Sequence, residues 1–155
     1  MATTLRGVDN FDTAPAGLGK VLQVVHVTQE GEVVVSSDTF TSVMAAQITP
    51  ISATSKILVR VDAQANRNGA DNGYGIQILA DGVTIATSGA GYVAYDATSA
   101  GSRMSATFQE YHSPNTTNTV TYTFQARCHV AARGYMEFAD DGVGECYITL
   151  MEIAQ

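Results

Sequence analysis

From Thr119 to Cys128 the chain alternates without a break. Val120, Tyr122, Phe124, Ala126 and Cys128 fall on one side, and Thr119, Thr121, Thr123, Gln125 and Arg127 on the other. A period of two marks a half-buried strand, and one wet face is antiparallel-sheet behaviour. Residues 56–63 repeat the pattern more loosely: Ile57, Val59, Val61 and Ala63 oppose Lys56, Arg60 and Asp62, with Leu58 out of step. Tyr74, Ile76 and Ile78 alternate ahead of Asp81-Gly82, and Val83-Thr84-Ile85 follows. Asp-Gly between apolar runs signals a hairpin, because Gly accepts the positive φ of a type I′ turn. Further strands are expected near 20–28, 32–36, 39–48, 103–112, 134–139 and 145–153. The best helix candidate, residues 42–47, is short and reads better as strand. Residues 113–118 and 140–144 carry the Pro, Asn, Asp and Gly that turns require. Many short strands without an amphipathic helix predict an all-β domain, an antiparallel sandwich or barrel.

Residues 1–19 have no such period. Thr, Asp and Gly dominate, with Phe11 and Leu18 as isolated apolar residues. Two readings stay open: a disordered terminus, or an extended docking arm anchored by Phe11 and Leu18. The expected organisation is an arm over 1–19 and a sandwich over 20–155. Because antiparallel strands alternate in direction, the loops at 64–73, 89–102 and 129–133 should share one end. The tight turns at 81–82 and 113–118 should share the other. The first long loop offers Asn66, Arg67, Asn68, Asp71 and Asn72, whose side chains could bond sugar hydroxyls. The second sets Tyr92 and Tyr95 among small residues, a composition that binding loops share. The alternative is that these tyrosines pack under their own loop or at a subunit contact.

Composition narrows the function classes. A chain of 155 residues is one domain on the usual length prior. Charged residues are 15%, against about 25% on average, so Thr, Ser, Asn and Gly must make up much of the surface. The net charge is −7, and Lys20 and Lys56 are the only lysines. That composition argues against a nucleic-acid partner, which needs clustered Lys and Arg. No apolar run approaches the ~18 residues of a membrane span, so no insertion is expected. The N-terminus lacks the basic-then-apolar order of a signal peptide.

No catalytic motif is present. A nucleophile elbow, a P-loop and a paired-His metal motif are all missing, and His26, His112 and His129 lie in separate strands or strand ends. Cys128 and His129 are neighbours in sequence and therefore point to opposite faces of a strand. The expectation is a protein without enzymatic activity, cofactor or metal. Asp140, Asp141 and Glu145 could offer Ca²⁺ its oxygen ligands. Their spacing is not that of an EF-hand, and an acidic turn accounts for them. Cys128 and Cys146 could approach across the sheet, although the absent signal peptide favours free buried thiols.

The order of several segments carries a resemblance. Gly19-Lys20-Val21-Leu22-Gln23-Val24-Val25 opens the β region, and Ile48-Thr49-Pro50 leads through residues 52–55 into Lys56-Ile57-Leu58-Val59. Tyr111-His112-Ser113-Pro114 precedes Thr119-Val120-Thr121-Tyr122, and Ile148-Thr149-Leu150-Met151-Glu152-Ile153 closes the chain. Over residues 19–153 this order resembles small tail-fibre-like and virion structural β-domains of tailed bacteriophages. The resemblance implies a jelly-roll-like sandwich, a homotrimer, and exposure on the virion. Docking to a capsid or tail scaffold would go through residues 1–19, and no catalytic residue transfers. Two placements follow: a fibre-like or receptor-binding tip that could meet a host glycan, and a capsid decoration or cement protein clamping neighbouring capsomers. A free carbohydrate-binding module is a third reading, against which the absence of Trp counts. Leu22, Leu58, Leu79, Met151 and Ile153 lie on faces that otherwise look polar. They are candidate subunit contacts, and a two-sided core explains them equally well.

Overall fold

The alternation forms two antiparallel sheets packed face to face. The structure, a computed structural model, describes residues 19–88, 93–97, 101–139 and 145–155. Residues 1–18 of the expected arm over 1–19, with Phe11 and Leu18, lie outside the described residues, as do Tyr92, Asp140 and Asp141. The strands are β1 (Val21–Thr28), β2 (Val33–Val35), β3 (Thr41–Ile48), β4 (Lys56–Asn68), β5 (Asn72–Ala80) and β6 (Val83–Thr87). They continue as β7 (Ala94–Asp96), β8 (Arg103–His112), β9 (Val120–Cys128), β10 (Tyr135–Phe138) and β11 (Tyr147–Ile153). A 3₁₀ turn, Ala131–Arg133, precedes β10.

The first sheet runs β1–β11–β4, with β8 on the far side of β4. Strand β4 is long enough to pair twice along one edge. Its first half meets β11 and its last residues meet β10, which in turn pairs with β2. The second sheet runs β3–β9–β5–β6, with β7 beside the upper end of β5. Counting β1 with β2, β10 with β11 and β6 with β7 as interrupted strands leaves four positions per sheet. That is the jelly-roll arrangement of eight strands in two sheets.

Inward parity matches the sequence pattern. Ile57, Val59, Val61, Ile148 and Leu150 from the first sheet meet Tyr74, Ile76, Ile78, Tyr122 and Phe124 from the second, all buried. Phe138 sits edge-on to both Tyr74 and Phe124, at 5.2 and 5.8 Å between ring centroids. Each such side chain contributes roughly 1.5–3 kcal/mol by leaving water. The Asp81-Gly82 hairpin joins Ala80 to Val83 with positive φ at both residues (46° and 83°), as a type I′ turn requires. Cys128 and Cys146 are free and buried.

The loop expected at 64–73 is a correction. Asn66, Arg67 and Asn68 are the last residues of β4 and Asn72 the first of β5, so residues 69–71 alone connect them. The run of amides looked like loop chemistry. It is strand because β8 pairs one edge as far as Asn66 and β10 the other as far as Asn68. Alternation persists through it: Ala65 and Arg67 are buried, while Gln64 and Asn66 are half-buried. The loop expected at 89–102 likewise contains a strand, β7, held by β5.

Candidate functional site

The sequence placed its candidate contacts at one end of the sandwich, and the described ones do meet there. Asn66 pairs with Arg103 across β4 and β8, Gly73 pairs with Tyr95, and the Gly101 N–H donates to the Arg67 carbonyl at 2.7 Å. The 3₁₀ turn closes over the same end. Two glycines make that closure possible. Gly69 (φ 109°) and Gly134 (φ 118°) pass so near each other that a Cβ on either would strike the carbonyl of Arg133 or Asn68.

The side chains at this end are spent on one another. Buried Asn72 donates to the Val130 carbonyl (3.0 Å) and accepts from the N–H groups of Gly73 (2.9 Å) and Val130 (3.0 Å). It therefore acts as a pin between β5 and the 129–134 segment. Arg67 is also fully buried, with its Nη2 donating to the Ser102 hydroxyl at 3.3 Å. Asp71 accepts from the Tyr95 hydroxyl and forms an ion pair with Arg133. The Arg133 guanidinium also donates to the Asp71 carbonyl at 3.0 Å. Asn66 donates to Glu137 (2.9 Å) and Asn68 to the Tyr135 hydroxyl (2.6 Å). Tyr95 stands edge-on to His129 at 5.8 Å. Arg67 and Asn72 face inward, where no outside ligand reaches them. Asn68 is the exposed member of the β4 set.

Sequence reasoning missed Arg133, Tyr135, His129 and Ser102, the partners that lock this end. Their signal was available only through parity, which sends residues 129–135 to the same end as 69–71.

A second feature lies on the outer face of the first sheet, beside the interruption between β10 and β11. There a shallow cavity of about 290 Å³ is lined by Asp62, Gln64, Ser105, Thr107, Glu145 and Tyr147 among others. Asp62 is engaged by a two-point pair with Arg60 (2.8 and 2.9 Å) and by the Thr107 hydroxyl (2.6 Å). Partial burial pushes the Asp62 carboxyl up, but these partners outweigh it and hold it below its ordinary value. His26 stacks on Tyr147 at 5.1 Å and bonds Thr149 at 2.9 Å. His112 meets the Tyr122 hydroxyl at 2.8 Å, and burial lowers its pKa. Burial raises both thiols, so neither carries the low pKa of a reactive cysteine. Among the described residues no three His, Cys, Asp or Glu side chains group to hold a metal, and no helix is long and apolar enough to cross a membrane.

The chain matches no protein-family model and no curated protein. Among solved structures it is similar to infectious bursal disease virus, Gt strain. The TM-score is 0.50 and the identity 12%, over 86% of this chain and 38% of that one. It is equally similar to the T13 particle of the same virus, with TM-score 0.50 and 12% identity, over 98% of this chain and 40% of that one. The chain thus spans about two fifths of the length of the chains it matches. At this identity the likeness is one of fold. The jelly roll is shared with proteins of a virus particle, and neither structure is a tail fibre.

Proposed function

We propose that the chain is a structural subunit of a virus particle and has no reaction of its own. The observation that carries this reading is the strand order. Two four-position antiparallel sheets follow the fold of proteins from an icosahedral virus along most of the chain. The chemistry of the molecule supports it. Its loop end is closed by internal hydrogen bonds, its thiols are buried, and Thr is the commonest of its exposed described residues. Such a molecule is a stiff block for assembly. In this reading it is a homotrimer on the virion surface, attached to other virion proteins through residues 1–19. The likeness to an icosahedral particle favours a seat on the capsid as a decoration protein over the tip of a bacteriophage fibre. Contact with a host glycan belongs to the fibre-tip placement.

Light scattering across a dilution series tests the core of this proposal. A trimer mass is expected, and a monomer at every concentration overturns assembly through copies. Particles lacking the protein then separate the placements. Fragile particles support the decoration seat, whereas intact particles that no longer adsorb to cells support the fibre tip.

A further inference from the structure

The edge strands of the sandwich are not alike. An open edge is a row of unpaired N–H and C=O groups that another strand can join, and proteins blunt it with short strands, bulges, Lys or Pro. Strands β1 and β3 each carry a register break, between Val21 and Gln23 and between Ser42 and Met44. The pairing of β6 with β5 is broken between Ile78 and Leu79, and β2 and β7 are three residues long. Strand β8 has none of these features. Its register with β4 runs unbroken from Arg103 to His112, and residues 103–112 contain neither Lys nor Pro. Among the described residues no strand pairs with its other edge.

The bonding pattern shows which groups that edge offers. The Arg67 N–H donates to the Ser102 carbonyl at 2.9 Å. Bonding alternates along an antiparallel pair, so the even-numbered residues of β8 bond β4. The N–H and C=O groups of Arg103, Ser105, Thr107, Gln109 and Tyr111 then point away from it. On the inward face, Ala106 and Phe108 pack against the core yet stay half-buried, because no neighbouring strand covers them.

We propose that this edge docks the β8 of a second copy, antiparallel across a two-fold axis at Ala106. Opposed residues share a sheet face, so odd must meet odd and even must meet even. In this register Arg103 faces the partner's Gln109 and Ser105 the partner's Thr107, and the four such pairs exchange about eight backbone hydrogen bonds. On the inward face Met104 meets the partner's Phe108 and Ala106 the partner's Ala106, completing an apolar row. Glu110, the inward charge of the strand, faces the partner's Ser102. No like charges oppose one another. Sliding the partner by two residues would instead set Glu110 against the partner's Met104. The strand is thus complementary to itself, which is what a closed two-fold contact requires. A strand edge buries little area, so the pair dissociates on dilution. The proposal does not rest on the virion reading; within that reading the contact joins one trimer to the next.

Cysteine cross-linking of the full chain under a copper–phenanthroline oxidant tests the register. In Ala106→Cys the two α-carbons would lie ~4.5 Å apart, within disulfide reach. In Gln109→Cys they would be six residues out of step, ~20 Å apart. The parent chain, with both thiols buried, is the blank. Ala106→Cys should give covalent dimer at least tenfold faster than Gln109→Cys. Random collision would favour Gln109→Cys, the more exposed site, so equal or reversed rates overturn the proposal. Ser105→Pro supplies the second arm. The Ser105 N–H points away from β4, so proline costs the sheet no bond but blocks the added strand. With the circular dichroism spectrum kept, sedimentation should show self-association weakened about tenfold or more. Unchanged association in that variant, or none in the wild-type chain, also overturns the proposal.

Discussion

Glu152 offers a sharp test of how this sandwich is held at its lower end. Its carboxylate is fully buried near the end of β11. It accepts from the Gln23 side chain (2.6 Å), from the Ile51 N–H through both oxygens (2.9 and 3.1 Å) and from the Ser52 N–H (3.2 Å). One side chain thus ties the edge strand β1 and the loop before β4 to the middle of the first sheet. Glu152→Gln keeps the shape and turns one acceptor oxygen into a donor, which then faces the Gln23 amide or the backbone N–H groups. Losing charge-assisted bonds and leaving a buried donor unpaired costs about 2–4 kcal/mol. That corresponds to roughly 5–15 °C in Tm for a domain of this size.

The pH dependence separates this account from a mere packing defect. Burial pushes the Glu152 carboxyl up, but the donors from Gln23, Ile51 and Ser52 outweigh it and hold it below the usual range. A lowered folded pKa means the contribution is complete above the unfolded value of about 4.3. It is lost as pH falls through the folded value. Urea unfolding followed by circular dichroism should therefore show the wild-type protein well above the variant at pH 7. The two curves should converge in acid. Asp62, also held low, is common to both proteins and cancels in the difference. A variant within about 0.5 kcal/mol of wild type at pH 7 would refute the reasoning, that being the usual scatter of neutral surface changes. A gap that persists unchanged in acid would do the same.

Other outcomes are expected. Gly134→Ala should destabilise by about 2 kcal/mol or more in thermal unfolding, because the added Cβ meets the Asn68 carbonyl at positive φ. Gly31→Ala, with positive φ but open space around it, should cost only about 1–2 kcal/mol. Asn72→Ala removes the pin on Val130 and should speed hydrogen exchange of the Gly73 and Val130 amides by about tenfold or more, with smaller changes at the other end. A thiol reagent should titrate neither Cys128 nor Cys146 in the native protein and both after unfolding in urea without reductant; a rapid native reaction would contradict their burial.

Much of the fold could be read residue by residue. Val120 through Cys128, Ile57 through Ala63, and the Asp81-Gly82 turn behave as their local pattern demands, because pleat and turn geometry are properties of a few adjacent residues. The shared end of the long connections followed from strand parity alone. The loop residues were misread where local chemistry and pairing disagree. Asn66, Arg67 and Asn68 have loop-like composition, yet two flanking strands supply their backbone partners and keep them extended. The inward turn of Arg67 and Asn72 then converts candidate contacts into internal braces.

The chain's own order of residues determined that this is a β protein, where its strands alternate and where it turns. What it left undecided is which outward residues become neighbours. Val24, Met151, Leu58 and Tyr111 are scattered over 128 positions and carry no shared local signal. They form one row because register between distant strands is set by the packing of their opposite, buried faces, and a slip of one residue would send each to the other side.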